Sequence, residues 1–260
     1  MILKKDKFIK FPKKKNNQNF FINYFKKYKL LKYLDTKTSE FKPNYKDLYL
    51  LHQYIVLNKR LTVLEFGTGW SSLVIQHALN INKKKYFKKT SKIRKKNQFE
   101  LFVIDNDKQF LKISKKRNEK IFGKNKSKNN NFHFSECSMT IYNKKFASQY
   151  KSLPACNPDF IYLDGPSPFT VKKKIDGFST NHPDMMPMSC DILKFEHFLC
   201  PGTIILIDGR TANARFLQKN FQRNWAYLHD ENNDQNLFYL NEKPLGKYNK
   251  ELLRFYKKKL

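Results

Sequence analysis

A chain of 260 residues with 40% hydrophobic content, 24 Phe among it, is long enough for one sizeable core with an appended arm. No apolar run approaches the roughly 18–20 residues of a bilayer span, and the basic N-terminus holds no apolar stretch of the kind found in secretory signals. The formal charge is +30, yet residues 130–246 carry 12 basic and 12 acidic side chains, so the whole excess lies in 1–129 and in the last 14 residues.

In chain order, residues 1–46 form a basic, Phe/Tyr-rich arm without clear periodicity until "NYFKKYKLLKYL", where a short amphipathic helix is expected. "KDLYLLHQYIVLN" spaces Leu48, Leu51 and Ile55 as the buried face of a helix. "RLTVLEF" is a short apolar strand ending at Gly67, and "SSLVIQHALN" predicts a helix capped by serine, with Leu73, Val74, His77 and Ala78 on its apolar side. The Lys-rich segment 83–98 reads as a loop insertion. "FELFVID" is a second strand, "DKQFLKISKKR" a helix, and "NFHFSE" a third strand, followed by an expected helix over about Ser138–Tyr150. "PDFIYLD" and "GTIILID" are the fourth and fifth strands, with the helix "SCDILKFEHFL" between them. "TANARFLQKNF" is another helix, and "NWAYLHDE" with "NLFYLNE" reads as a closing hairpin.

Strands alternating with helices predict an α/β, doubly wound, mostly parallel sheet with helices on both faces and a basic N-terminal extension. The expected organisation is the arm at 1–46, a Rossmann-like domain at 47–246 and a basic tail at 247–260. Cys137, Cys156, Cys190 and Cys200 form no C-x-x-C pair and no zinc-ligand spacing, which predicts reduced thiols in a cytoplasmic setting. The Lys-rich blocks read as solvated segments able to make weak contacts with nucleic acid or an anionic membrane surface. Only seven of the 52 basic residues are Arg, the side chain preferred for bidentate phosphate and guanine contacts.

The chemistry concentrates at "LEFGTGWSS", Leu64 to Ser72. In a parallel sheet ligands bind at the carboxyl ends of the strands, and Gly67 and Gly69 permit a tight turn and close backbone approach there. A helix starting near Ser71 offers its positive end. A dinucleotide fingerprint requires a third glycine, where this chain has Ser72.

"VLEFGTGWSS" resembles the first motif of class I S-adenosylmethionine-dependent methyltransferases, an acidic residue and G-x-G closing the first strand. "FVIDND", "HFSECS", "PDFIYLDGP" and "PGTIILIDGR" resemble the family's following strand motifs in order, from about Arg60 to Glu242. The resemblance implies strand order 3-2-1-4-5-7-6 and S-adenosylmethionine as cofactor. It also implies that the loop Gly67, Thr68, Gly69 receives the methionine moiety, with Glu65 in reach of its ammonium group. Asp105 takes the ribose hydroxyls, and Glu136, Cys137 or Ser138 borders the adenine, with Ser138 the choice. Asp164 and Asp208, ending neighbouring strands, are the expected catalytic acids, and Arg210 grips an anionic substrate group or pairs with Asp164.

The layout is similar to metal-dependent small-molecule O-methyltransferases, which end the fifth strand in Asp-Asn. Here Asp208 is followed by Gly209, so no metal ligands are assigned and a divalent cation is doubtful. Trp70 is read as packing, His197 as helical packing, and His182 as a solvated residue of a long substrate-wall loop. The tetrads of amino-directed nucleic-acid methyltransferases are absent. The expected activity is methyl transfer to oxygen on a small molecule or glycan. The alternatives are a basic nucleic-acid-binding module on this scaffold, RNA methylation included, and a nucleotide-dependent oxidoreductase.

Overall fold

A computed structural model describes residues 9–15, 17–34, 42–123 and 130–257. The outermost parts of the expected basic arm and tail, and the Lys/Asn stretch 124–129, lie outside the described residues.

The strands are β1 (Thr62–Phe66), β2 (Glu100–Asp105), β3 (Asn130–Phe134), β4 (Cys137–Tyr142), β5 (Lys145–Tyr150), β6 (Phe160–Leu163), β7 (Ile204–Asp208), β8 (Trp225–Asp230) and β9 (Gln235–Leu240). Seven form one sheet in the order β3-β2-β1-β6-β7-β9-β8, parallel from β3 to β7 and antiparallel at β9 and β8. The labels depart from the expected order because β4 and β5 pair only with each other. Counted within the large sheet alone, the seven strands stand 3-2-1-4-5-7-6.

The hairpin β4–β5 corrects the helix expected over Ser138–Tyr150. Its turn, Asn143 and Lys144, takes positive φ at both residues, the geometry whose twist suits a two-residue hairpin. Cys137, Met139 and Ile141 alternate with polar residues, so one face of β4 can be buried and the other left to solvent.

Alternation also sorts the central strands. Val63, Leu101, Val103, Tyr162 and Leu206 face a core shared with α3 (Tyr45–Leu57), α4 (Trp70–Thr90) and α5 (Lys108–Phe122). Leu64, Phe66, Ile104, Leu163 and Ile207 face a second core shared with the β4–β5 hairpin, α6 (Asp191–Phe195) and α7 (Thr211–Asn220). Two helices of the arm, α1 (Gln18–Lys27) and α2 (Leu31–Leu34), add Phe21, Phe25 and Leu34 to the first core, with Leu30 from the turn between them. The last helix, α8 (Gly246–Lys257), packs Leu252, Leu253 and Tyr256 against Leu61, Tyr86 and Phe99.

Of segment 83–98, expected from its charge to be a loop insertion, only 91–98 is loop, because α4 continues to Thr90. Lys is a good helix former, and two side chains anchor the extension. Asn82 Nδ2 donates to Ile55 O and Arg60 O at 3.1 and 2.9 Å, and Tyr86 is buried. His77 packs inside: its Nδ1 lies 3.0 Å from His52 Nε2, and Tyr24 of α1 meets the other ring nitrogen of His52 at 2.5 Å. His197 is exposed rather than packed, with Nε2 3.0 Å from Gln222 Oε1.

Candidate active site

The site begins where β1 and β6 end side by side. Asp164 N donates to Phe66 O and Gly67 N to Ile104 O, both at 2.9 Å, drawing the loops after β1, β2 and β6 together. Gly67 has φ +90°, and a Cβ there would lie 3.0 Å from the backbone of Asp164 and Gly165. A Cβ on Gly165 would stand 2.6 Å from Gly67 Cα. Two glycines are needed where the backbones touch. Gly69 differs: its φ of 179° is extended, and its Cβ position meets nothing closer than Ser71 Oγ at 3.9 Å.

Glu65 is fully buried, its two oxygens accepting from Ser71 Oγ at 2.5 Å and Ser72 Oγ at 2.7 Å. Burial pushes its carboxyl up to about 8, against the two hydroxyl bonds. Glu65 therefore fixes the start of α4 through its serines. The same bonds explain why no serine caps α4; its N-cap is Gly69. Trp70 packs as expected, with the Arg117 guanidinium 3.6 Å from its ring centroid.

Asp105 lies at the end of β2, buried but open at one edge. Its carboxylate accepts from Asp107 N at 2.8 Å and from the backbone of Thr68 and Asn106. Burial outweighs these bonds and raises it to about 6. Thr68 Oγ1 lies 3.0 Å from Ser72 Oγ, so Thr68 is held from both ends. Asn106 Nδ2 donates to Thr170 O at 2.8 Å and Thr170 Oγ1 to Asn106 Oδ1 at 3.1 Å, clasping the loop after β2 to the segment after β6.

Ser138 is not at the end of β3. The chain turns at Ser135 and Glu136, with Ser135 N on Asp105 O, and Ser138 falls within β4, bridged to Lys172. The ion pair Glu136–Lys172 sits on the outside of the same crossing.

Over the ends of β6 and β7 opens a cavity of about 520 Å³ lined by Asn44, Lys46, Asp47, Asp164, Asp208 and Asp234 among others. Asp164 is half-exposed toward it. Asp208 accepts from Tyr162 Oη at 2.9 Å and Gln235 Nε2 at 3.3 Å, and burial raises its carboxyl despite both bonds. Arg210 lies against Asp164. Its Nη2 donates to Asp164 O at 2.8 Å, its Nη1 to Pro166 O at 3.0 Å, and its Nε stands 3.6 Å from Asp164 Oδ1. It clamps the loop after β6.

Asp47 was not legible as a site residue. It lies in the first turn of α3, whose N-cap Asn44 accepts from Lys46 N and Asp47 N. Lys46 Nζ donates to Asn232 O at 3.0 Å, tying α3 to the β8–β9 turn and carrying Asp47 over the sheet edge. Burial first, then Asp208 and Asp164, push Asp47 up to about 7. Among the described residues no group of three or more His, Cys, Asp and Glu is placed to hold a metal ion. With Gly209 following Asp208, the residues present do not fit a divalent-metal centre.

A parallel core of five strands closed by an antiparallel pair in the order 3-2-1-4-5-7-6, with glycine loop and acids at the carboxyl edge, is a specific arrangement. This is the strand order that the resemblance to class I methyltransferases implies. No protein-family model and no curated protein matches the chain in sequence. Among solved structures, the chain is similar to the SAH-bound methyltransferase PaMTH1 of Podospora anserina, at 12% identity, 89% of this chain and 100% of that one, with TM-score 0.49. It is also similar to the O-methyltransferase TomG of Streptomyces achromogenes in complex with SAM, at 11% identity, 88% and 92% coverage and TM-score 0.42. A Bacillus cereus O-methyltransferase in complex with SAH is similar at 11% identity, 89% and 92% coverage and TM-score 0.40.

Proposed function

We propose that this protein is an S-adenosylmethionine-dependent methyltransferase acting on a hydroxyl of a small molecule or glycan. The observation that carries this reading is the juxtaposition of the Gly67–Thr68–Asp105 edge with the acid-lined cavity over β6 and β7. Asp105 is suited to two vicinal hydroxyls because a carboxylate accepts paired, charge-assisted bonds. The loop Gly67–Gly69 offers backbone and a helix N-terminus to the amino-acid end. Glu65 acts through this loop, and Arg210 through the position of Asp164.

The sulfonium donor is already activated, so the protein has two tasks: align acceptor oxygen and methyl carbon, and accept the hydroxyl proton. Asp47 is the best placed proton acceptor, because a base with a pKa near 7 combines availability with driving force. Asp164 and Asp208 line the same cavity, orient the acceptor and keep Asp47 basic by repulsion. Five carboxylates and one lysine line this cavity, Glu231 being the fifth acid, so a polyphosphate acceptor is repelled at the mouth. That favours a neutral or cationic small acceptor over nucleic acid.

The test is transfer of labelled methyl from S-adenosylmethionine to a panel of polyols, phenols, sugars and amino alcohols, with the product identified by mass spectrometry. A methyl ether product is expected, with kcat lowered about a hundredfold or more in Asp47→Asn at unchanged cofactor affinity. A methylamine product overturns the oxygen assignment, and an unchanged kcat in Asp47→Asn removes Asp47 from proton transfer.

A further inference from the structure

Eight buried side-chain nitrogen or oxygen atoms among the described residues have no hydrogen-bond partner. Six belong to Arg60, Gln76, Asn82, Asn118, Arg210 and Gln235, each of which bonds through another nitrogen. A seventh, Ser148 Oγ, lies against the Cys137 thiol. The eighth is the hydroxyl of Tyr150, whose only polar side-chain atom is thus left unpaired at 3% exposure. Native interiors leave few such groups, and each one needs a reason, an absent ligand being one.

Position supplies the reason. Tyr150 closes β5, where its N–H donates to Asp191 Oδ1 at 3.0 Å and fixes the backbone. Its ring lies 5.9 Å from that of Phe66, the last residue of β1 before the glycine loop. Tyr150 pairs across the hairpin with Cys137, two residues after Ser135, whose N–H donates to Asp105 O at 3.0 Å, and Asp105 is the charged group that acts most strongly on its hydroxyl. The unpaired hydroxyl thus belongs to a residue packed between the end of β1 and the crossing at the end of β2. Burial keeps the phenol protonated, so it is presented as a donor.

We propose that Tyr150 is a binding residue of the cofactor site, its hydroxyl donating to an acceptor atom of the nucleoside held beside Asp105. This rests on the methyltransferase reading above, and the hairpin that replaces the expected helix is what brings the phenol there. A phenylalanine would pack the same core equally well, so the oxygen is spent on a ligand and not on folding.

The test compares wild type with Tyr150→Phe by calorimetric titration of S-adenosylhomocysteine and of 5′-methylthioadenosine, which keeps the nucleoside and lacks the amino-acid end. Thermal midpoints of the ligand-free proteins are measured alongside. The expected result is a fivefold to tenfold weaker affinity for both ligands, on the order expected for one net hydrogen bond, with a midpoint unchanged or raised. Equal affinity in the two proteins, or a lowered midpoint with affinity intact, overturns the proposal. A loss confined to S-adenosylhomocysteine overturns the nucleoside assignment. Failure of wild type to bind either ligand counts against the methyltransferase reading itself and is seen before the variant is examined.

Discussion

Asp47 shows how one residue can link stability to the chemistry proposed for it. Its folded pKa of about 7 stands above the roughly 3.9 of an unfolded aspartate, through burial and the nearby Asp208 and Asp164. A raised carboxyl contributes fully below the unfolded value and loses that contribution as pH rises through the folded one. Asp47→Asn removes the penalty of an ionised group near other acids. Its melting midpoint is therefore expected to exceed that of wild type at pH 8 and to match it at pH 4. A variant less stable than wild type at pH 8 would show that the carboxylate is paired and not repelled. Glu65, at about 8, obeys the same sign, but Ser71 and Ser72 hold its oxygens, so its contribution is mixed with theirs.

The elements meet most tightly at the two glycines that let β1 and β6 end in contact. Gly165→Ala would place a methyl group 2.6 Å from Gly67 Cα and N, atoms of backbone that cannot swing aside. We expect a loss of about 1–3 kcal/mol in unfolding free energy, typical of overpacking, together with weakened cofactor binding. Urea unfolding that leaves the midpoint unchanged would show that the loops can part. At this scale the sequence was unevenly legible. β1, β2, β6 and β7 were readable because apolar runs stop at glycine or aspartate. The β4–β5 hairpin was missed because Asn143–Lys144 is a weak turn signal beside Asn-Gly, although Cys137, Met139 and Ile141 alternate. The Lys-rich half of α4 was read as loop because charge was weighed above helix propensity and above the burial of Asn82 and Tyr86.

Across the whole molecule, charge and site are separated. The acid-lined cavity lies at the carboxyl edge of the sheet, where α4 starts, and Lys88 and Lys89 lie at its far end, roughly 30 Å away at the rise of an α-helix. These lysines of the excess lie away from the cavity, which Lys46 lines together with the acids. Asp105, Asp164 and Asp208 were legible because each ends a strand whose carboxyl edge the fold makes a site. Asp47, Tyr150 and Tyr162 were not, because nothing local distinguishes them from other helix and strand residues; only the closed sheet brings them to that edge. The turn at Ser135 that carries Ser138 into β4, and the serine bonds of Glu65, depend on side-chain geometry that no spacing encodes.

The central claim is that the edge formed by Gly67, Thr68 and Asp105 binds S-adenosylmethionine. Calorimetric titration of S-adenosylhomocysteine into wild type and Asp105→Ala, with NADH as the comparison ligand, tests it directly. The account predicts micromolar binding to wild type, a loss of about tenfold to a hundredfold in Asp105→Ala from the charged hydrogen bonds removed, and no binding of NADH. Heat with NADH and none with S-adenosylhomocysteine would contradict it.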